Sequence, residues 1–169
     1  SEMVVMNSGS VTYTGAEITK AVTVAGLTEG TDYDVAFSGN VNAGTATVTI
    51  TGKGNYTGTV EKTFQITKAD YDMSGIAFAD ASYVYDGSTH APVITGTLPT
   101  GADGITVTVS YSAGATNVGS VEVTATFATT SGNYNVPAAR TATATVTAGT
   151  ITSEMVVMNS GSVTYTGAE

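Results

Sequence analysis

Cysteine and tryptophan are absent from this 169-residue chain, histidine occurs once, and proline three times. Without Cys there is no disulfide, no thiolate nucleophile and no thiolate-held zinc, and a single His90 cannot build a His-rich metal site. Charge is scarce as well. Only 11% of residues are charged, against about 25% in an average domain. The 5 basic residues face 14 acidic ones, a net charge of −9, which has the wrong sign for phosphate or nucleic-acid recognition. No apolar run reaches the ~18 residues that a membrane-spanning helix needs, so no nucleic-acid partner and no membrane insertion are expected. What remains is rich in Thr and Val, with 20 Gly and few of the usual helix formers, and such a composition favours strands and turns.

Residues 1–17, SEMVVMNSGSVTYTGAE, recur without a change at 153–169. Such identity predicts a tandem array with a period of 152 residues, of which 151–169 would be the first strand or strands of the next repeat. An appended copy of one strand would look the same. The chain does not begin with Met and is expected to be an excerpt of something longer.

A second, diverged repeat lies inside the period. Tyr13-Thr14-Gly15 answers to Tyr85-Asp86-Gly87, Asn42-Ala43-Gly44 to Asn117-Val118-Gly119, and Gly54-Asn55-Tyr56 to Gly132-Asn133-Tyr134. The order of these landmarks predicts two homologous modules, 1–67 and 68–150. The short joints at Lys68–Asp70 and Ala148–Thr150 are neither Pro-rich nor Gly/Ser-rich, so a fairly stiff rod is expected. Within each module, apolar residues alternate with threonine. Ala46, Val48 and Ile50 alternate with Thr45, Thr47 and Thr49; Val60, Lys62, Phe64 and Ile66 share one phase; Ile105–Val109, Val121–Ala125 and Thr141–Thr147 repeat the pattern. Alternation puts one face inward and the hydroxyls outward. Gly- and Asn-containing turns separate the segments, and about 12 short strands in two sandwiches are predicted.

The combination Leu27-Thr-Glu-Gly-Thr-Asp-Tyr-Asp34, Asn42–Ile50 and Gly52–Val60 with Phe64-Gln65-Ile66 resembles the bacterial Ig-like repeats of the MBG and YDG type. Tyr85-Asp86-Gly87, Leu98-Pro99, Asn117-Val118-Gly119 and Gly132-Asn133-Tyr134 give a looser match, and together the resemblance spans most of 10–150. It implies an all-β fold of tandem Ig-like (E-set-like) β-sandwich modules in large secreted or surface-anchored bacterial proteins described as adhesins. It also implies an extracellular location, no cofactor and no catalytic residues. The function expected from it is a stalk or spacer whose partners are neighbouring repeats of the same chain. The alternative is direct, multivalent binding of a host glycan or mucin.

Several residues are candidates for chemistry. His90 follows Asp86 and Ser88, but a triad joins groups from separate elements, and an exposed turn histidine is expected. Asp70 and Asp72, just past the module boundary, have the spacing of calcium-binding carboxylates. Lys62, on an inward phase, is the candidate for an intramolecular crosslink, with snorkelling to solvent as the alternative. Tyr33 and Tyr111 are candidates for stacking on a sugar, whereas the pairs Tyr13/Tyr85 and Tyr56/Tyr134 recur as buried structural tyrosines would. Finally, the apolar stretch Met155–Met158 could enter the first-strand slot of another molecule, giving head-to-tail strand pairing through 153–169.

Overall fold

Alternating threonines organise the longest strands of the computed structural model, which describes residues 4–157 and residue 161. In β5 (Gly44–Gly52) the side chains of Ala46, Val48 and Ile50 are buried, and Thr45, Thr47 and Thr49 occupy the opposite face. β4 (Tyr33–Ser38) and β6 (Thr59–Thr67) flank it, both antiparallel. β2 (Val11–Thr12) then adds to β6 in parallel, giving the order β2-β6-β5-β4. β1 (Val4–Met6) pairs with β3 (Val22–Val24) in a separate two-stranded sheet. One buried cluster joins the two sheets: Val4, Val22 and Val24 pack with Val48, Ile50, Phe64 and Ile66. Each such side chain taken from water is worth about 1.5–3 kcal/mol, so these few residues hold the N-terminal half (4–67).

The C-terminal half repeats the plan strand for strand. β7 (Ile76–Ala77) pairs with β9 (Thr95–Gly96). β8 (Ala81–Val84), β12 (Arg140–Thr147), β11 (Gly119–Ala128) and β10 (Thr108–Tyr111) form the second four-stranded sheet in that order, with β8 and β12 again parallel. The registers agree in detail. Gly44 lies opposite Ile66 as Gly119 lies opposite Val146. The Tyr13 N–H donates to the Thr67 carbonyl, and the Tyr85 N–H to that of Thr147, each at 2.9 Å. Register therefore equates Tyr13 with Tyr85, Val4 with Ile76, Val11 with Tyr83, Lys62 with Ala142 and Phe64 with Ala144. Twelve strands and a single 3-10 turn make the described residues an all-β, sandwich-like fold.

Some expectations are corrected. The strand predicted over Ile105–Val109 starts only at Thr108, because the Gly101 N–H bonds the Ile105 carbonyl and closes a turn there. Val60 and Val121 hold the inward phase of their strands yet remain exposed. Alternation names a face but does not say whether a second layer covers it. In the tail, Ser153–Met155 form the 3-10 turn, and Ile151, Met155, Val156 and Val157 are exposed. The predicted strand at Met155–Met158 is therefore not formed within the described residues, and Met158 with most of the rest of 153–169 lies outside them. The first-strand slot beside β3 is held by the chain's own β1.

Candidate functional site at the joint between the halves

Beyond β6 the chain does not pass through a free linker. The Ala69 N–H donates to the Asn133 carbonyl at 2.9 Å, and the Asn135 N–H returns a bond to the Ala69 carbonyl at 2.8 Å. Two residues later Tyr71 is buried in the C-terminal half, clustered with Ile76, Val107, Ala125 and Phe127. Its hydroxyl donates to the Ile105 carbonyl at 3.2 Å and lies 2.8 Å from the Thr129 hydroxyl. The linker is thus a strand-like strap sewn into the second half.

Three tyrosines meet above it. The Tyr134 ring stacks on Tyr71 with centroids 4.3 Å apart and meets the edge of Tyr13 at 5.6 Å and 79°. Its hydroxyl accepts from the Ala102 N–H at 2.8 Å. Tyr134 is the side chain from the C-terminal half that packs against the buried clusters of both halves. Beside it, Asn133 clasps the N-terminal half. Its Oδ1 accepts from the Ala43 N–H at 2.9 Å, and its Nδ2 donates to Asn42 Oδ1 at 3.2 Å. The Asn133 N–H bonds the Ser131 hydroxyl at 3.0 Å, and that hydroxyl donates to the Asp103 carboxylate. A continuous hydrogen-bonded chain therefore runs from Asp103 to Ala43.

Two glycines permit this approach. Gly15 has φ +84°, and a Cβ there would lie 2.6 Å from the Ala102 Cβ across the joint. A Cβ on Gly101 would lie 2.5 Å from the Tyr134 ring. A larger residue at Gly15 must push the halves apart, and one at Gly101 must displace the Tyr134 ring within the C-terminal half. The magnitudes rank the contacts. Each aromatic pair adds about 0.5–1.5 kcal/mol beyond its buried area, and each hydrogen bond about 1 kcal/mol. An exposed ion pair such as Lys53–Asp34 at 3.2 Å is worth about 0–1 kcal/mol. Rings and amide clasp, not charges, hold the joint.

Protonation touches the same residues. The Ser131 hydroxyl, with the Ile105 N–H and the Asn133 amide, holds the Asp103 carboxyl below its ordinary value of 3.8. Ser74 does the same for Asp72, and the Ser88 N–H together with His90 for Asp86. A depressed carboxyl contributes stability that is present above its unfolded value and lost as pH falls through its folded one. Burial, then the neighbouring Asp103 charge and Tyr134, raise the Tyr13 phenol above 10.0. That contribution is complete below the ordinary phenol value and is lost as pH rises through the raised one. Thermal melts should therefore show a plateau between an acid limb starting near pH 4 and an alkaline limb starting near pH 10. Asp103→Asn should flatten the acid limb; melts that fall as steeply in the variant would refute the Asp103 assignment.

The residues singled out from the sequence do not gather. Tyr33 is only 4% exposed and offers no free face to a sugar. Tyr111 is 37% exposed, but its hydroxyl accepts from the Ile94 N–H at 2.9 Å and its ring leans on Phe78. Asp70 accepts from the Asn135 amide at 2.7 Å and Asp72 from the Ser74 N–H at 3.0 Å. Among the described residues no three His, Cys, Asp or Glu side chains converge on a metal position. Lys62 is half-buried beside Val4, Met6 and Ser8, and its register counterpart is Ala142. His90 is not a free turn residue. It stacks on Tyr83 at 4.6 Å, and its Nε2 lies 2.9 Å from Asp86 Oδ1. The paired tyrosines also part company. Tyr13 is buried and Tyr134 half-buried, whereas Tyr85 is 47% and Tyr56 44% exposed. The joint covers the first two, and nothing among the described residues covers the others.

Sequence reasoning found Asn133 as a landmark of the repeat and Tyr134 as a recurring structural tyrosine, but did not bring Tyr71, Asp103 and Ser131 together in a joint. The recurring Gly-Asn-Tyr was the available signal. Among the described residues, no helix is long and apolar enough to cross a membrane. Fold and joint define an all-β, sandwich-like protein whose two halves share one plan and are pinned by aromatic and amide contacts. No family model matches the chain, and no curated protein matches it.

Proposed function

We propose that this chain is a structural spacer: two Ig-like modules, bounded near residue 67, of a tandem array in a large bacterial surface or secreted protein of adhesin type. The observation that carries the reading is the joint. A protein that must hold a distant part at a set distance needs modules that do not pivot, and Tyr134, Tyr71 and the Asn133 clasp remove that freedom. The unchanged recurrence of 1–17 at 153–169 and the likeness of the sequence motifs to MBG- and YDG-type repeats support the same reading. Acidic, sparsely charged surfaces suit it too, since net charge keeps such arrays soluble.

The test is a glycan array probed with multimerised chain. Multimers raise avidity by about 10²–10⁴ over a single contact, so even a weak lectin would register. The expected result is silence. Saturable binding to a defined glycan that Tyr111→Ala abolishes would replace the spacer by a direct glycan-binding module.

A further inference from the structure

The exposed tyrosines Tyr85 and Tyr56 occupy, on opposite halves, the register positions of the two that meet in the joint. Tyr85 stands where Tyr13 stands, at the end of the parallel strand pair, and the landmark Gly54-Asn55-Tyr56 corresponds to Gly132-Asn133-Tyr134. The clasp has the same counterparts. Asn117-Val118, before Gly119, corresponds to Asn42-Ala43 before Gly44, and both glycines have φ +140°. Asn55, Asn117 and Val118 are all exposed. The strap is repeated as well. Counted from Thr147 as from Thr67, Gly149 takes the place of Ala69 and Ile151 that of Tyr71. Ile151 is 80% exposed.

A receptor for Ile151 exists on the N-terminal half. A groove of about 310 Å³ is lined by Val4, Tyr33, Ile50, Gly52, Tyr56 and Val60. Val4, Ile50 and Gly52 hold the register positions of Ile76, Ala125 and Phe127, the residues clustered with Tyr71 in the C-terminal half. The groove is the counterpart of the Tyr71 seat, and among the described residues none fills it, which also accounts for the exposed Val60 at its rim. We infer that a second copy of this chain docks there: its Ile151 fills the groove, its Tyr85 meets Tyr56, and Asn55 clasps its Asn117-Val118. The contact reproduces the internal joint and, being head-to-tail, does not close on itself. In an array it would join each period to the next, so the inference deepens the spacer reading and rests on it.

Within one chain a short linker supplies an effective concentration in the millimolar range, so the free contact needs only modest affinity. The experiment is a dilution series of the full chain, starting near 1 mM, followed by amide NMR with about 0.15 M salt to screen the acidic surfaces. Concentration-dependent shifts are expected at Asn55, Tyr56, Tyr85, Val118 and Gly149–Ile151. Because Tyr85 and Tyr56 are exposed, Tyr85→Ala and Tyr56→Ala should fold, which the same spectra verify, and each should weaken association about tenfold or more. No shifts at the top concentration, or association undiminished in both variants, overturns the inference. Shifts confined to Val4–Met6 and Val22–Val24 would instead mean strand exchange by the tail and overturn it too. A silent dilution series leaves the spacer reading standing, whereas a glycan hit removes that reading whatever the dilution shows.

Discussion

Tyr134→Ala is expected to lower the free energy of unfolding by about 3 kcal/mol, at the lower edge of the range for aromatic-to-alanine changes in cores. The ring is only half-buried, which alone would argue for less. Its position argues for more, since it stacks on Tyr71 and meets Tyr13, so two aromatic pairs vanish together. The Ala102 N–H also loses its hydroxyl acceptor. For a chain of this length about 3 kcal/mol corresponds to a fall of roughly 6–12 °C in Tm. The form of the transition should change as well. Tyr134 packs against the cores of both halves, so its removal should resolve one urea transition into two. Circular dichroism and tyrosine fluorescence can follow both, the latter helped by the absence of Trp. Tyr134→Phe, which keeps the ring, should cost only about 1 kcal/mol and retain a single transition. A single transition and a loss below about 1 kcal/mol in the alanine variant would show that the ring does not couple the halves.

Phe64→Ala is expected to cost slightly more, about 4 kcal/mol, but locally. Phe64 is 2% exposed, lies opposite Ala46 in the sheet and carries the Lys20 ammonium 5.4 Å from its ring centroid. Its loss should unfold the N-terminal half first, leaving the C-terminal signals until higher urea. The register suggests a compensating change. Where the N-terminal half has Phe64 and Val11, the C-terminal half has Ala144 and Tyr83, and Tyr83 packs against the cluster that contains Ala144. The two halves thus carry the large ring on different strands at this layer of the core. Phe64→Ala combined with Val11→Tyr should therefore be less destabilised than the sum of the single changes, a non-additivity expected only for side chains sharing one space. Strict additivity would mean that the two positions do not share it.

Much of the architecture was legible without coordinates. The Thr/apolar alternation of Ala46–Ile50 needs no tertiary information, because a two-residue period has one reading, a strand with one buried face. The landmarks Tyr13/Tyr85 and Asn42/Asn117 ordered the repeat because turn and corner chemistry tolerates few residue types. The joint was not legible in the same way. Asn133 forms its clasp with Asn42 and Ala43, some ninety residues away in sequence, and no local pattern encodes a partner at that distance. Tyr33 and Tyr56 look alike in sequence as tyrosines beside turns, yet one is buried and the other exposed.

The sequence by itself determined the class of structure, its division into repeating parts and the chemistry it lacks, because composition and period are local properties of the chain. Only the tertiary structure decided which tyrosines are buried, which asparagine clasps the neighbouring half and where a groove is left open. Those outcomes depend on what packs above each face, and in a repeating chain the same residue type is core where a neighbour covers it and surface where none does.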